Sequence, residues 1–330
     1  MEKRKIIITG ATGSLGAYLV RFFSRKGYYV IASGRQENPP ENLYNYAKEY
    51  VVADITKKYT LPEADICIHT AALSDDKAKL SDLMEANVKG TLNTIEAASS
   101  VRTFVHVSSS SVYLPDEKEV KEEATDTVNY NKLSPYGKSK LESERALIEK
   151  QNFRQCFILR ARNLYGHGDK VILPRLLKLV KDDTLSCPGP LTNWISMTHY
   201  ENFSVAVEAC FLSDLNGLKV YNVADQNPYQ LISVYRNLTK ALFKRQLAEK
   251  KIPIALLKFM AVFKLGGITH LLIKAFTKSL VLDLSKIQHD LNYAPEIDYD
   301  SSLPEMAAWV DRCGGPDELR KGSKEFAWIE

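Results

Sequence analysis

The chain has 330 residues, of which 45% are hydrophobic and 25% charged, proportions that suit one large globular domain or two coupled ones. Its net charge is +4, and its lysines and arginines are interspersed with acids, so no basic block points to nucleic acid. The cysteines, Cys67, Cys156, Cys187, Cys210 and Cys313, are scattered without Cys-x-x-Cys spacing, which argues against a disulfide framework and a zinc site.

Met1-Glu2-Lys3-Arg4-Lys5 is charged and runs into Ile6-Ile7-Ile8, an apolar run too short for the core of a signal peptide and read instead as a parallel core strand. Gly10-Ala11-Thr12-Gly13-Ser14-Leu15-Gly16 follows. A helix with Leu15, Leu19, Phe22 and Phe23 on its apolar side comes next, ended by Gly27, and Tyr29-Val30-Ile31-Ala32 is a second strand. In a strand, glycine turn, helix, strand unit, Gly10 and Gly13 let backbone approach a pyrophosphate. Gly16 lets helix and strand pack closely, and the helix N-terminus offers free N–H groups to phosphate. The unit therefore predicts a bound nicotinamide dinucleotide, NAD(P). The second strand ends in Ser33-Gly34-Arg35, without the acid that takes a ribose hydroxyl pair. Arg35 is expected to accommodate a 2′-phosphate, so NADP(H) is slightly favoured.

Tyr50-Val51-Val52-Ala53-Asp54-Ile55 reads as a third strand ending in an acid placed to meet the adenine amino group. Ala64 to Ala72 reads as a fourth, whose small residues, Ala71 among them, allow cofactor contact. Residues 83–98 read as a helix carrying Asn87-Val88-Lys89-Gly90-Thr91. His69 and His106 fall in strand patterns and are read as packed histidines.

Phe104-Val105-His106-Val107 is a buried strand that runs into Ser108-Ser109-Ser110-Ser111-Val112-Tyr113. Tyr136-Gly137-Lys138-Ser139-Lys140 opens a helical pattern in which Tyr136 and Lys140 share a face. A phenol, an ammonium and a hydroxyl meeting at one point can move a proton on and off an alcohol. A free tyrosine, with a pKa of about 10, is a poor base at neutral pH, and a neighbouring ammonium lowers that value. The stretch 115–131 is acidic and is read as a solvated surface loop.

Taken together, the glycine turn, Asp54-Ile55, His69-Thr70-Ala71-Ala72, Asn87-Val88-Lys89-Gly90-Thr91, Ser-Ser-x-Ser-Val-Tyr and Tyr-x-x-x-Lys resemble the extended short-chain dehydrogenase/reductase superfamily in order and spacing. The resemblance implies an α/β fold, a Rossmann doubly wound parallel sheet with a smaller interleaved C-terminal substrate lobe. It divides the chain into a cofactor domain at 1–165, to which 193–225 return, and a substrate lobe at 166–192 and 226–330. It makes Tyr136 the general acid/base, Lys140 its tuner, and Ser109 the serine that holds the substrate oxygen, with Ser110 as the next choice. Cofactor contacts are implied at Gly10, Thr12, Gly13, Ser14, Leu15, Gly16, Arg35, Asp54, Ile55, Ala71, Asn87, Tyr136 and Lys140. By the same analogy the protein is a homodimer.

Substrate is less well specified, because the superfamily includes epimerases, dehydratases and reductases. Ser110-Ser111 stand where the dehydratases place an Asp-Glu pair. Ile195 stands where nucleotide-sugar enzymes usually carry a diphosphate-binding arginine. Ile172-Leu173-Pro174-Arg175-Leu176-Leu177 and the apolar segment 252–276 resemble the 3β-hydroxysteroid dehydrogenase-like branch. That segment, interrupted by Lys258, Lys264 and His270, is too broken to span a membrane. Packed over the active site it would suit an apolar substrate or peripheral contact with a membrane surface. The expectation is a cytoplasmic NAD(P)-dependent dehydrogenase or reductase that moves hydride between nicotinamide and a secondary alcohol or ketone, such as a 3β-hydroxysteroid or similar apolar molecule. A nucleotide-sugar 4-keto reductase or 4-epimerase is the alternative, and a catalytically silent cofactor-binding scaffold is the second.

Overall fold

Seven parallel strands form the central sheet of the computed structural model, which describes residues 4–75, 78–115, 119–263, 269–322 and 325–329. In chain order they are β1 (Lys5–Thr9), β2 (Tyr29–Gly34), β3 (Glu49–Val52), β4 (Ile66–His69), β5 (Thr103–Ser109), β6 (Gln155–Ala161) and β7 (Gly217–Val223). They lie side by side as β7-β6-β5-β4-β1-β2-β3. Helices cover both faces, so the inner strands have no wet side. Ile6, Ile7 and Ile8 have no exposed surface, and every residue of β4 and β6 is buried. The order reverses between β1 and β4, and a crevice opens there at the carboxyl ends of the strands. This is the doubly wound parallel sheet expected.

The first helix, Ser14–Arg25, buries Leu19, Val20, Phe22 and Phe23 against the sheet. Its Arg21 is also buried. One guanidinium nitrogen donates to the Ala327 carbonyl at 2.9 Å, and the group lies over the Trp328 ring, so the end of the chain closes onto the first helix. A second core joins Tyr165, Leu173 and Leu177 to Tyr235, Leu238, Tyr299, Met306 and Trp309.

Several element edges differ from the sequence expectation. Strand β3 ends at Val52, before Asp54. The Asp54 carboxylate instead accepts the Thr56 N–H at 3.0 Å and its hydroxyl at 2.8 Å, a local turn that competes with the ladder. The helix expected over 83–98 starts at Leu80 and is interrupted by a π turn, Glu85–Lys89, that carries Asn87. The acidic stretch 115–131 is not simply a solvated loop. Residues 116–118 lie outside those described, Glu119–Val120 pairs with Val281–Leu282, and the buried Glu122 accepts the Asn222 N–H at 2.7 Å.

The segment 252–276 contains the helices Ile254–Val262 and His270–Thr277, while Lys264 lies outside the described residues. Leu257, Ala261 and Ile273 make a small core between them. Leu256, Phe259, Val262 and Phe263 face outward. Among the described residues, no helix is long and apolar enough to cross a membrane.

One buried ion pair ties these parts together. Arg160 of β6 meets Glu144 of the helix Pro135–Lys150 through Nη2–Oε2 at 2.6 Å and Nε–Oε1 at 3.0 Å. Arg160 also donates to the Tyr113 hydroxyl at 2.9 Å and the Glu122 carbonyl at 2.7 Å. Removing one partner of such a pair strands a charge in the core, at a cost of roughly 3–5 kcal/mol.

Candidate active site

The crevice encloses about 560 Å³ and is lined from Thr9 to Tyr200. Every residue expected at the site from sequence lines it, except Asn87. None of the described residues of 252–276 does, so the apolar helix pair does not lie over the site.

One end of the crevice is the glycine turn. A Cβ on Gly16 would stand 2.2 Å from the Gly10 carbonyl oxygen, so only glycine lets the helix start this close to the turn. The helix begins at Ser14 with Gly13 as its N-cap and no acidic residue in its first turn. Its first peptide N–H groups and positive dipole end are therefore not offset by a carboxylate. That donor set fits a dinucleotide's phosphates. Lys170, which the sequence did not single out, donates from Nζ to the Thr12 carbonyl at 3.2 Å and adds a cation beside the turn. Its neighbour Asp169 accepts from the N–H groups of Val171, Ile172 and Leu173 at 2.7 to 2.9 Å. Burial raises the Asp169 pKa to about 6 against those three bonds.

At the adenosine end, Arg35 and Gln36 follow β2 along the crevice wall. Asp54 is held as a carboxylate below its ordinary pKa, chiefly by the Thr56 N–H.

At the other end the four serines part company. Ser108 turns inward and donates to Glu144. Ser109 lines the crevice half-buried. Its hydroxyl accepts the Ser111 N–H and donates to the Ser111 hydroxyl, both at 3.1 Å. Ser110 is buried and receives an Arg162 Nη1 hydrogen bond at 3.4 Å.

The helix Pro135–Lys150 is capped by Ser134, whose hydroxyl accepts the Gly137 N–H at 2.9 Å, with Pro135 in its first turn. A Cβ on Gly137 would stand 2.2 Å from the Ser111 carbonyl oxygen. Glycine there brings the helix, and with it Tyr136, directly onto the serine turn. Sequence reading passed over Gly137 because its partner lies far away in the chain.

Lys140, one helical turn after Tyr136, is 2% exposed. Its ammonium donates to the Val107 carbonyl at 2.8 Å and lies 3.3 Å from His106 Nε2. Burial pulls its pKa down to about 8, and the charge of Glu144 works in the opposite direction. His106 and His69 are stacked, with ring centres 5.5 Å apart, and both are buried. Burial, and then the charge of Lys140, hold both below their ordinary pKa, to about 3 for His69. They are packed, neutral histidines, as the strand pattern suggested.

Asn87 stands behind the crevice wall. Its Oδ1 accepts the Leu73 N–H at 2.7 Å, and its Nδ2 donates to the Leu73 carbonyl at 3.1 Å and the Ser139 hydroxyl at 2.9 Å. It clamps the loop after β4 to the Tyr136 helix.

A parallel sheet that opens at its switch point onto a glycine turn is the architecture of a nucleotide-cofactor protein. The chain belongs to the NAD dependent epimerase/dehydratase family, whose model matches residues 6–224, and it is thereby a nicotinamide-dependent enzyme of the short-chain dehydrogenase/reductase type. It is 29% identical to the Escherichia coli (strain K12) protein YbjS, with 93% of this chain and 97% of that protein covered. It is 22% identical to the 2-alkyl-3-oxoalkanoate reductase of Stenotrophomonas maltophilia (strain K279a), over 92% of this chain and 98% of that one. It is 25% identical to the decarboxylating sterol-4-alpha-carboxylate 3-dehydrogenase of Dictyostelium discoideum, over 92% of this chain and all of that one, 100%. In fold it resembles the crystal structure of UDP-glucuronic acid 4-epimerase from Bacillus cereus in complex with NAD, with a TM-score of 0.72, 19% identity and 96% of each chain covered.

The depressed pKa of Lys140 gives a prediction with a definite sign. Between about 8 and the ordinary value of 10.5 the unfolded chain holds this proton and the folded chain does not, so the group makes the cofactor-free protein more stable as pH rises through that window. In urea unfolding, the wild type should gain stability relative to Lys140→Met by up to about 1.4 kcal/mol per pH unit above pH 8. A difference independent of pH between 7.5 and 9.5 would contradict this ionisation (on the order of one proton).

Proposed function

We propose that the protein is an NAD(P)-dependent oxidoreductase that transfers hydride between nicotinamide and a secondary alcohol or ketone on an apolar, 3β-hydroxysteroid-like substrate. The observation that carries this reading is that Ser109, Tyr136 and Lys140 all line the crevice that the glycine turn opens. When bound, the nicotinamide cofactor supplies the hydride donor or acceptor. Gly10, Thr12, Gly13, Ser14, Leu15 and Gly16 would hold its phosphates, Asp54 and Ile55 its adenine end, and Ala71 its middle.

The Ser109 hydroxyl holds the reacting oxygen. The Tyr136 phenol gives that oxygen a proton in reduction and takes it in oxidation. The Lys140 ammonium, fixed by the Val107 carbonyl, favours the phenolate and so brings the phenol within reach of neutral pH. Arg35 supports acceptance of NADP(H), since no acid ends β2 to repel a 2′-phosphate. The ratio of kcat/KM for NADP(H) and NAD(H) checks this, and a tenfold or greater preference for NAD(H) would remove Arg35 from that role.

The substrate class draws support from two relatives, whose names describe redox chemistry at carbon 3 of carboxylate-bearing, largely hydrocarbon molecules. Ile195 is buried in the second core, which leaves its position without the diphosphate-binding arginine of nucleotide-sugar enzymes. The lobe formed by 166–192 and 226–330 is proposed to shape the substrate end. Its outward Leu256, Phe259, Val262 and Phe263 suit contact with a membrane surface where such substrates collect. The family's epimerases keep a nucleotide-sugar 4-epimerase or 4-keto reductase as the second reading.

Tyr136→Phe should fold with a wild-type circular dichroism spectrum and bind NAD(H) normally. Its turnover on a panel of sterol and hydroxy-acid alcohols, followed by NAD(P)H absorbance, should fall by roughly 10²–10⁴-fold. Near-wild-type turnover would take Tyr136 out of the reaction, and turnover restricted to nucleotide sugars would favour the second reading.

A further inference from the structure

Two arginines stand at the end of β6, and the fold treats them oppositely. Arg160 is neutralised by Glu144, as described above. Arg162 lines the crevice, and among the described residues no carboxylate pairs with it. Its Nη1 reaches the Ser110 hydroxyl at 3.4 Å, while its Nε is buried with no hydrogen-bond partner. Burial without a counter-charge pulls its pKa down to about 10.

The backbone that carries this side chain is held in place. The Arg162 N–H donates to the Thr198 hydroxyl at 3.2 Å, and that hydroxyl donates back to the Arg162 carbonyl at 3.0 Å. Thr198 has no exposed surface, and the next residue, Asn163, sits at φ 45° with its amide bonded to the Ser196 carbonyl at 3.2 Å. Asparagine adopts positive φ more readily than other non-glycine residues, and the clamp on either side holds this turn.

A partly buried guanidinium lining a cleft from a fixed stretch of backbone, with its Nε buried and unpaired, is costly unless an anion arrives to use it. Its planar donors match a carboxylate. Ser110, which it touches, follows Ser109, the residue assigned to the reacting oxygen.

We propose that Arg162 docks a carboxylate of the substrate, carried on the carbon next to the one that is oxidised or reduced, so that the substrate class is a 3-hydroxy or 3-oxo acid. This rests on the oxidoreductase reading above and adds the substrate's charge and where it sits.

The test is oxidation of 3-hydroxydecanoate against 3-hydroxydecanamide, read by NAD(P)H absorbance, in the wild type, Arg162→Met, Arg162→Lys and Tyr136→Phe. The wild type should prefer the acid by about tenfold or more in kcat/KM, the range expected of a forked charge-assisted contact. Arg162→Met should lose that preference while still oxidising the amide, with unchanged dissociation constants for NAD(H) and NADP(H). Arg162→Lys keeps the charge without the fork and should retain only part of the preference, which decides the matter if Arg162→Met does not fold.

Equal wild-type rates on acid and amide, turnover of neither, or a preference unaltered in the Arg162 variants would overturn the assignment. Weakened cofactor binding in Arg162→Met would overturn it too, by giving Arg162 to the cofactor. Retained turnover in Tyr136→Phe is a separate failure, that of the oxidoreductase reading itself.

Discussion

The structure around the crevice depends on the buried positive charge of Lys140. Three basic side chains, Lys140, His106 and His69, are packed together in the core behind the serine turn. Burial alone would neutralise all of them. The Val107 carbonyl and the charge of Glu144 favour the charged lysine, and its charge in turn disfavours protonation of both histidines. The cluster thus holds its proton on the one group that lies a helical turn from Tyr136.

That arrangement needs the helix Pro135–Lys150 to be placed accurately against β5 and β6, and three contacts along it do so. Gly137 rests on the Ser111 carbonyl, Ser139 is tied through Asn87 to the loop after β4, and Glu144 is locked to Arg160. The buried ion pair is better understood as fixing register than as adding net stability, since its desolvation cost offsets much of its attraction. The same helix therefore sets the distance between the serine turn and the phenol.

Much of this was legible in the sequence where the signal is local. The glycine turn between two apolar runs, and a tyrosine four residues before a lysine in a helical pattern, carry their meaning within a few residues. What escaped was set by distant partners. Gly137 is required only because Ser111 folds against it. Glu122 looked like one more surface acid until Asn222 of β7 gave it a buried N–H. Arg160 and Arg162 are the same residue type two positions apart, and only Glu144, from another element, makes one structural and leaves the other facing the cleft. Asn87 braces the wall behind the crevice through Leu73 and Ser139, partners that no local pattern around it names. The composition of the apolar segment 252–276 carries no information about where the chain lays it, and its described residues stand away from the crevice lining.

The proton-holding cluster, the serine turn and the glycine turn together make sense as one half of a hydride-transfer site. The most direct measurement is the fate of deuterium from reduced nicotinamide cofactor labelled at both C4 positions, incubated with protein and 3-oxo substrates and followed by mass spectrometry of the product. A hydride-transfer site of this kind predicts one deuterium on the new carbinol carbon. Product formed without the label, or no product with the labelled cofactor left unconsumed, would contradict it.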